Sequence, residues 1–217
     1  MIGLELLQEK SLWQIYCKCL RSLKPSYFNV YATGFIILML SLDAYSFPEH
    51  YRQRLALIRS LSELGLGFGS TILGFLIAGF TIFSTLSRSD LFLRMHQTRY
   101  ERTNLTYLQV NFFTFVEVFV VYAFFMVVCL LIKLFGSEGG LLVGALKFTE
   151  VHPFLGYKSI PSYWVNLGFV LFGTLSLYSL LALKSFIFNT YHSVMTSVVW
   201  AFNPPDNTYT QQQEANS

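Results

Sequence analysis

The stretch from Gly65 to Leu86, GLGFGSTILGFLIAGFTIFSTL, constrains this chain most. It runs 22 residues without a charged side chain, and a helix of that length just crosses the hydrocarbon core of a bilayer. Small residues recur along it in steps of four: Gly65 and Gly69, then Ser70, Gly74 and Ala78. In lipid there is little hydrophobic drive between helices, so close approach over small residues carries much of the packing. The spacing predicts that Gly65, Gly69, Ser70, Gly74 and Ala78 are buried against another helix, in the same or a neighbouring subunit.

Composition agrees with a membrane protein. Of 217 residues 53% are hydrophobic and only 12% charged, where soluble domains carry about 25% charged residues. The 22 Phe and 13 Tyr suit lipid-facing and interfacial surface. A net charge of +3 is spread among loops rather than clustered, which fits a basic bias on one membrane side and excludes direct nucleic-acid binding as a reading. The expected class is an all-α integral membrane protein with four transmembrane helices plus amphipathic interfacial helices, in contact with the lipid bilayer.

Taken in order, residues 1–24 form an amphipathic arm. Leu7, Trp13, Cys17, Leu20 and Leu23 alternate with Lys10, Lys18, Arg21 and Lys24. The arm either lies on the cytoplasmic membrane face, cations toward anionic lipid, or packs on the bundle as an ordinary helix. A four-helix membrane domain over 25–202 follows. Its first span, 27–42, is short, so little tilt is expected, and Asp43 closes it. Ser46 to Leu64 reads as a separate amphipathic helix, Ser46 its N-cap and Pro48 in its first turn, studded by Arg52, Arg54 and Arg59. The second span is 65–86. Ser87 to Asn104 is a polar connection with Arg88, Arg94, Arg99 and Arg102. The third span is 107–134. A long loop from Gly136 has room for a hairpin around His152-Pro153, and the fourth span is 164–188. Asn189 to Trp200 continues as an apolar helix, Asn203-Pro204-Pro205 breaks it, and 203–217 is a Gln-rich, disordered tail. No cleavable signal peptide is expected, since Glu5 and Glu9 interrupt the start. Alternate loops carry nine Lys and Arg against six, which favours both termini in the cytoplasm.

No enzyme motif stands out: there is no Gly-x-Ser-x-Gly, phosphate loop or His-Glu-x-x-His. His50, His96, His152 and His192 lie in four different segments, and Cys17, Cys19 and Cys129 make neither a metal set nor a disulfide framework. No cofactor or metal is expected. Glu117 is the residue whose place needs a reason. A carboxylate in a span costs roughly 2.5–3.5 kcal/mol and is usually paired, protonated or facing a cavity. Asn111 and Thr114, at spacings of three, share its face. It is either a proton- or cation-sensing group, or a structural partner between helices. Lys184, on the antiparallel fourth span, is the expected partner, directly or through Asn111, Ser179 or water. Arg94, Arg99 and Arg102, with the helix from Asn189 to Trp200, form a candidate partner surface.

With four spans and little soluble mass, and with the form LGFLIAGFTIFSTLSRSDLF at Leu73 to Phe92, the chain resembles the membrane subunit of Kiwa, a two-component bacterial anti-phage defence system. The resemblance covers the whole topology. It implies a homo-oligomer in the inner membrane that detects phage at the envelope and works with a soluble, DNA-binding cytoplasmic partner; it carries over no catalytic residue. The rival reading, from another class, is a channel or pore-forming effector whose second span and Glu117 face line a conduction path. A transporter is disfavoured because no internal repeat relates the two halves.

Overall fold

The computed structural model describes residues 26–86, 89–98, 105–137, 139–144 and 160–202. The arm at 1–24, the hairpin expected around His152-Pro153 and the tail at 203–217 lie outside them. The chain is an all-α membrane protein with four helices long and apolar enough to cross a bilayer. In chain order these are α1 (Tyr27–Ser46), α2 (Tyr51–Leu86), α4 (Tyr107–Phe135) and α5 (Ile160–Phe202), with a short α3 (Ser89–Gln97) between the second and third.

The first span is longer than expected. α1 runs 20 residues, through Asp43 to Ser46. Asp43 does not end it because Arg54 of the next helix neutralises the carboxylate at 3.2 Å. What ends α1 is proline: Phe47, before Pro48, takes φ −133° and ψ 66°, since the pyrrolidine ring disfavours helix in the residue ahead of it. Ser46 is therefore the last residue of α1 and not the N-cap of a new helix. Pro48–His50 form one 3-10 turn.

The amphipathic segment and the second span are one element. α2 is a continuous 36-residue helix, about 54 Å long at 1.5 Å per residue. Nothing between Tyr51 and Leu86 breaks it, because its glycines keep their intrahelical bonds and lose only backbone entropy. The polar connection after it contains the 9-residue α3. α4 begins on a reciprocal capping box: Gln109 N donates to Thr106 Oγ1 at 3.3 Å and Thr106 N donates to Gln109 Oε1 at 3.1 Å. Such boxes satisfy two of the orphan donors of a helix start. It ends at Gly136, whose carbonyl accepts from Arg59 Nε at 2.5 Å. The expected fourth span and the apolar helix after it also merge: α5 is one 43-residue helix, starting at Ile160.

α2, α4 and α5 form the core, and α1 packs on α5 at its edge. Toward the α1–α2 turn the core is Ile58, Phe125, Cys129, Phe169 and Phe172. Toward the other end it is Leu76, Val118, Val121, Tyr122 and Ala182. Phe125 stacks on Phe172 with centroids 6.2 Å apart. Phe115 bridges Phe80 of α2 at 4.6 Å and Phe186 of α5 at 6.1 Å. α1 buries only Ala44 and turns Phe35, Leu38, Met39 and Leu42 outward. A helix with so apolar an outer face needs hydrocarbon or another apolar surface beside it.

Candidate functional site

Two polar levels stand out within the helices among the described residues. The first is at the α1–α2 turn, where Arg54 is 5% exposed. Its five N–H groups make five hydrogen bonds. Nε and Nη2 donate to Asp43 Oδ2, Nη2 to Asp43 O at 2.7 Å, and Nη1 to Phe47 O at 3.0 Å and Asn166 Oδ1 at 2.8 Å. The guanidinium also lies 5.7 Å over the Phe169 ring. Arg54 thus ties α1, α2 and α5 together. Arg59 binds the end of α4, and Lys133 pairs with Glu63 at 3.0 Å. Three of the cations that weaken the loop-charge rule on this side therefore have structural partners.

The second level surrounds Glu117. α1, α4 and α5 border a partly open cavity of about 40 Å³ there, lined by Asn29, Thr114, Glu117, Tyr178, Ser185 and Asn189, with Val118, Ala182 and Phe186 forming its apolar side. Asn29 Nδ2 donates to Ser185 Oγ at 2.8 Å, while Asn29 Oδ1 is buried and accepts from no donor. Thr114 Oγ1 donates to Val110 O at 2.9 Å, which leaves its lone pairs available. One turn nearer the start of α4, Ser193 Oγ donates to Asn111 Oδ1. The expected grouping of Asn111, Thr114 and Glu117 toward α5 is therefore present.

The expected Glu117–Lys184 pair is not formed. Lys184 Nζ sits 3.7 Å over the Phe28 ring of α1 instead, a cation–π contact. Nor does Ser179 bridge them, since its Oγ donates to Ser176 O at 2.7 Å. Neighbouring residues on a helix point about 100° apart; Ser185 faces the cavity, and Lys184 turns to Phe28 on α1. Among the described residues no cation lies within salt-bridge reach of Glu117. Replacing Glu117 by Gln and Lys184 by Met should give losses of unfolding free energy that add within about 0.5 kcal/mol. A coupling above about 1 kcal/mol in that double-mutant cycle would show that the two groups meet.

The small-residue face splits in two. A Cβ at Gly65 would lie 2.8 Å from Cys129 Sγ and 2.8 Å from Phe125 Cζ, and one at Gly69 would lie 2.5 Å from Met126 Sδ. Those two glycines let α4 approach. Gly74 has nothing within 4 Å, and Ser70, Gly74 and Ala78 are all exposed. Arg94 lies in α3 with its side chain outside the described residues, as are Arg99 and Arg102. No group of three or more His, Cys, Asp or Glu gathers among the described residues.

Asn29, Ser185 and Asn189 are cavity residues that sequence reasoning missed. Their signal was available: Asn29 is a polar residue early in an apolar span, and Ser185 and Asn189 are four apart on α5, hence on one face. No protein-family model, characterised protein or solved structure gives a significant match to this chain.

Proposed function

We propose that the chain is a non-enzymatic component of a bacterial inner membrane that senses an envelope disturbance in anti-phage defence. It assembles as a homo-oligomer with both termini in the cytoplasm and holds a soluble, DNA-binding partner there. The overhang of α5 carries this reading. Its 43 residues make a rod of about 65 Å, roughly twice a bilayer core. Ser193 is level with Asn111, near the start of α4, so the residues after it run beyond the four-helix core. Val194, Met195, Val198, Val199 and Phe202 are exposed there. α3 lies at this same end, where Tyr107 N donates to Thr98 O at 3.1 Å. The rod and α3 thus share one side, as a docking platform requires.

The test is co-purification with the soluble product of the neighbouring open reading frame. Arg99→Glu combined with Arg102→Glu, and separately Val198→Asp, should lose that partner while membrane insertion persists. Retention of the partner by both variants overturns the reading. Thiol labelling of His96→Cys from the periplasmic side should fail; efficient labelling there reverses the orientation.

A pore-forming effector is the second reading, and the outward face of α2 favours it. Ser70, Thr71, Thr81, Ser84 and Thr85 line that face with their hydroxyls bonded to their own helix carbonyls. Around a central axis such a stripe offers a narrow, wettable wall. Membrane depolarisation on overexpression without the partner marks the pore; an unchanged potential marks the scaffold.

A further inference from the structure

We infer that the cavity at Glu117 is a binding site for a monovalent alkali cation, held between α1, α4 and α5. The inference goes beyond the scaffold reading and does not depend on it. Glu117 brings a carboxylate into a membrane-spanning helix, and the lysine nearest in the sequence of α5 is engaged by Phe28 instead. A charged group at that depth needs an opposite charge or must neutralise.

The donors present are hard oxygens. Asn29 Oδ1 is buried without a donor, and Asn29 Nδ2, by donating to Ser185 Oγ, holds that amide in place. Thr114 Oγ1, with its proton on Val110 O, offers only lone pairs to the cavity. Ser185 and Asn189 add a hydroxyl and an amide to the lining, one turn apart on α5. Carboxylate, amide and hydroxyl oxygens select hard cations, and the lining has no imidazole or thiolate for a transition metal. A single carboxylate balances one positive charge, so a divalent ion would leave its second charge uncompensated in a poorly solvated place. The volume of about 40 Å³ admits an ion with a water.

The site also joins a peripheral helix to the core. Asn29 is on α1, whereas Glu117 and Thr114 are on α4, so an ion bridging them fixes α1 against the bundle. Occupancy should therefore register as stability.

The experiment is thermal unfolding of the purified full chain in a nonionic detergent, with NaCl or KCl replacing choline chloride at constant ionic strength. The expected result is a saturable rise in Tm with at least one alkali chloride, on the order of 3 °C at ten times the dissociation constant, and a flat response in Glu117→Gln. Equal Tm in choline and in both alkali chlorides overturns the proposal and leaves Glu117 a protonated acid. An equal rise in Glu117→Gln also overturns it. Should Glu117→Gln not fold, Asn29→Ala on the edge helix supplies the reading. Loss of one ligating oxygen should raise the half-saturating salt concentration roughly tenfold, and an unchanged midpoint overturns the site.

Discussion

Arg54→Leu is expected to cost about 3 kcal/mol or more of unfolding free energy, the largest loss of any single change at the α1–α2 turn. The guanidinium is 5% exposed and all five of its N–H groups are used, on two carbonyls, a carboxylate and the Asn166 amide. Hydrogen bonds to a charged group contribute about 1.5–3 kcal/mol each when one partner is removed, and their losses here overlap rather than add. Asp43 keeps part of its hydration, its side chain being 52% exposed, so the carboxylate left behind is not the main penalty. The main penalty is the set of acceptors on α1, the turn and α5 that lose their common donor. Two companion variants make the point sharp. Arg54→Lys keeps the charge but replaces a planar fork by a point donor, and should lose at least about 2 kcal/mol. Asp43→Asn leaves the backbone carbonyls and Asn166 served but strips the buried guanidinium of its paired carboxylate, and should lose about 2 kcal/mol. Denaturant titration in mixed micelles measures all three. A silent Arg54→Lys would mean that charge alone, not the fork, holds the turn.

The four spans were legible because hydrophobic length in a membrane protein leaves few alternatives: 107–134 was expected and Tyr107–Phe135 is found. The breaks between elements were less so. Asp43 and Ser46 looked like a stop and a cap, but a charge stops a helix only if nothing neutralises it, and Arg54 comes 11 residues later. The cavity was half legible. Asn111, Thr114 and Glu117 share a helix, so their common face follows from spacing alone. Asn29, Ser185 and Asn189 come from α1 and α5, and which of their faces turns inward depends on how those helices are rotated. The same unknown misplaced Lys184: its position along α5 follows from the sequence, but depth does not tell which side of the helix a residue occupies. Steps of four also accumulate error. Gly65 and Gly69 lie about 40° apart around the helix, but Gly74 is nine residues from Gly65 and therefore about half a turn away. A run of small residues that looks continuous in sequence thus belongs to two faces.

That split gives opposite expectations for two glycine-to-leucine changes on one helix. At Gly65 the added Cβ alone meets Cys129 Sγ and Phe125 Cζ at 2.8 Å, and both residues are core members with almost no exposed surface. Phe125 is also stacked on Phe172 of α5, so it cannot swing aside without disturbing a second interface. Overpacking of a filled core costs about 1–3 kcal/mol, occasionally more, and Gly65→Leu, with three further carbons beyond Cβ, should reach about 3 kcal/mol. Gly69→Ala should cost less than about 1 kcal/mol, because the atom in its way is the sulfur of Met126, an unbranched side chain that re-packs readily. At Gly74 nothing lies within 4 Å, and removing a glycine from a helix interior stabilises it by roughly 0.5–1 kcal/mol. Gly74→Leu should therefore leave the single chain as stable as the parent or slightly more so. If the outward stripe of Gly74 and Ala78 is where subunits meet, the same change removes the close approach that small residues permit, and the oligomer should fall apart while the fold persists. Ala78→Leu should behave alike, and Ile77→Leu should be tolerated. Denaturant titration reads the first effect and native mass spectrometry in mild detergent the second. Parent-like stability of Gly65→Leu would contradict the α2–α4 packing, and a parent-like oligomer in both Gly74→Leu and Ala78→Leu would move the subunit contact to another face.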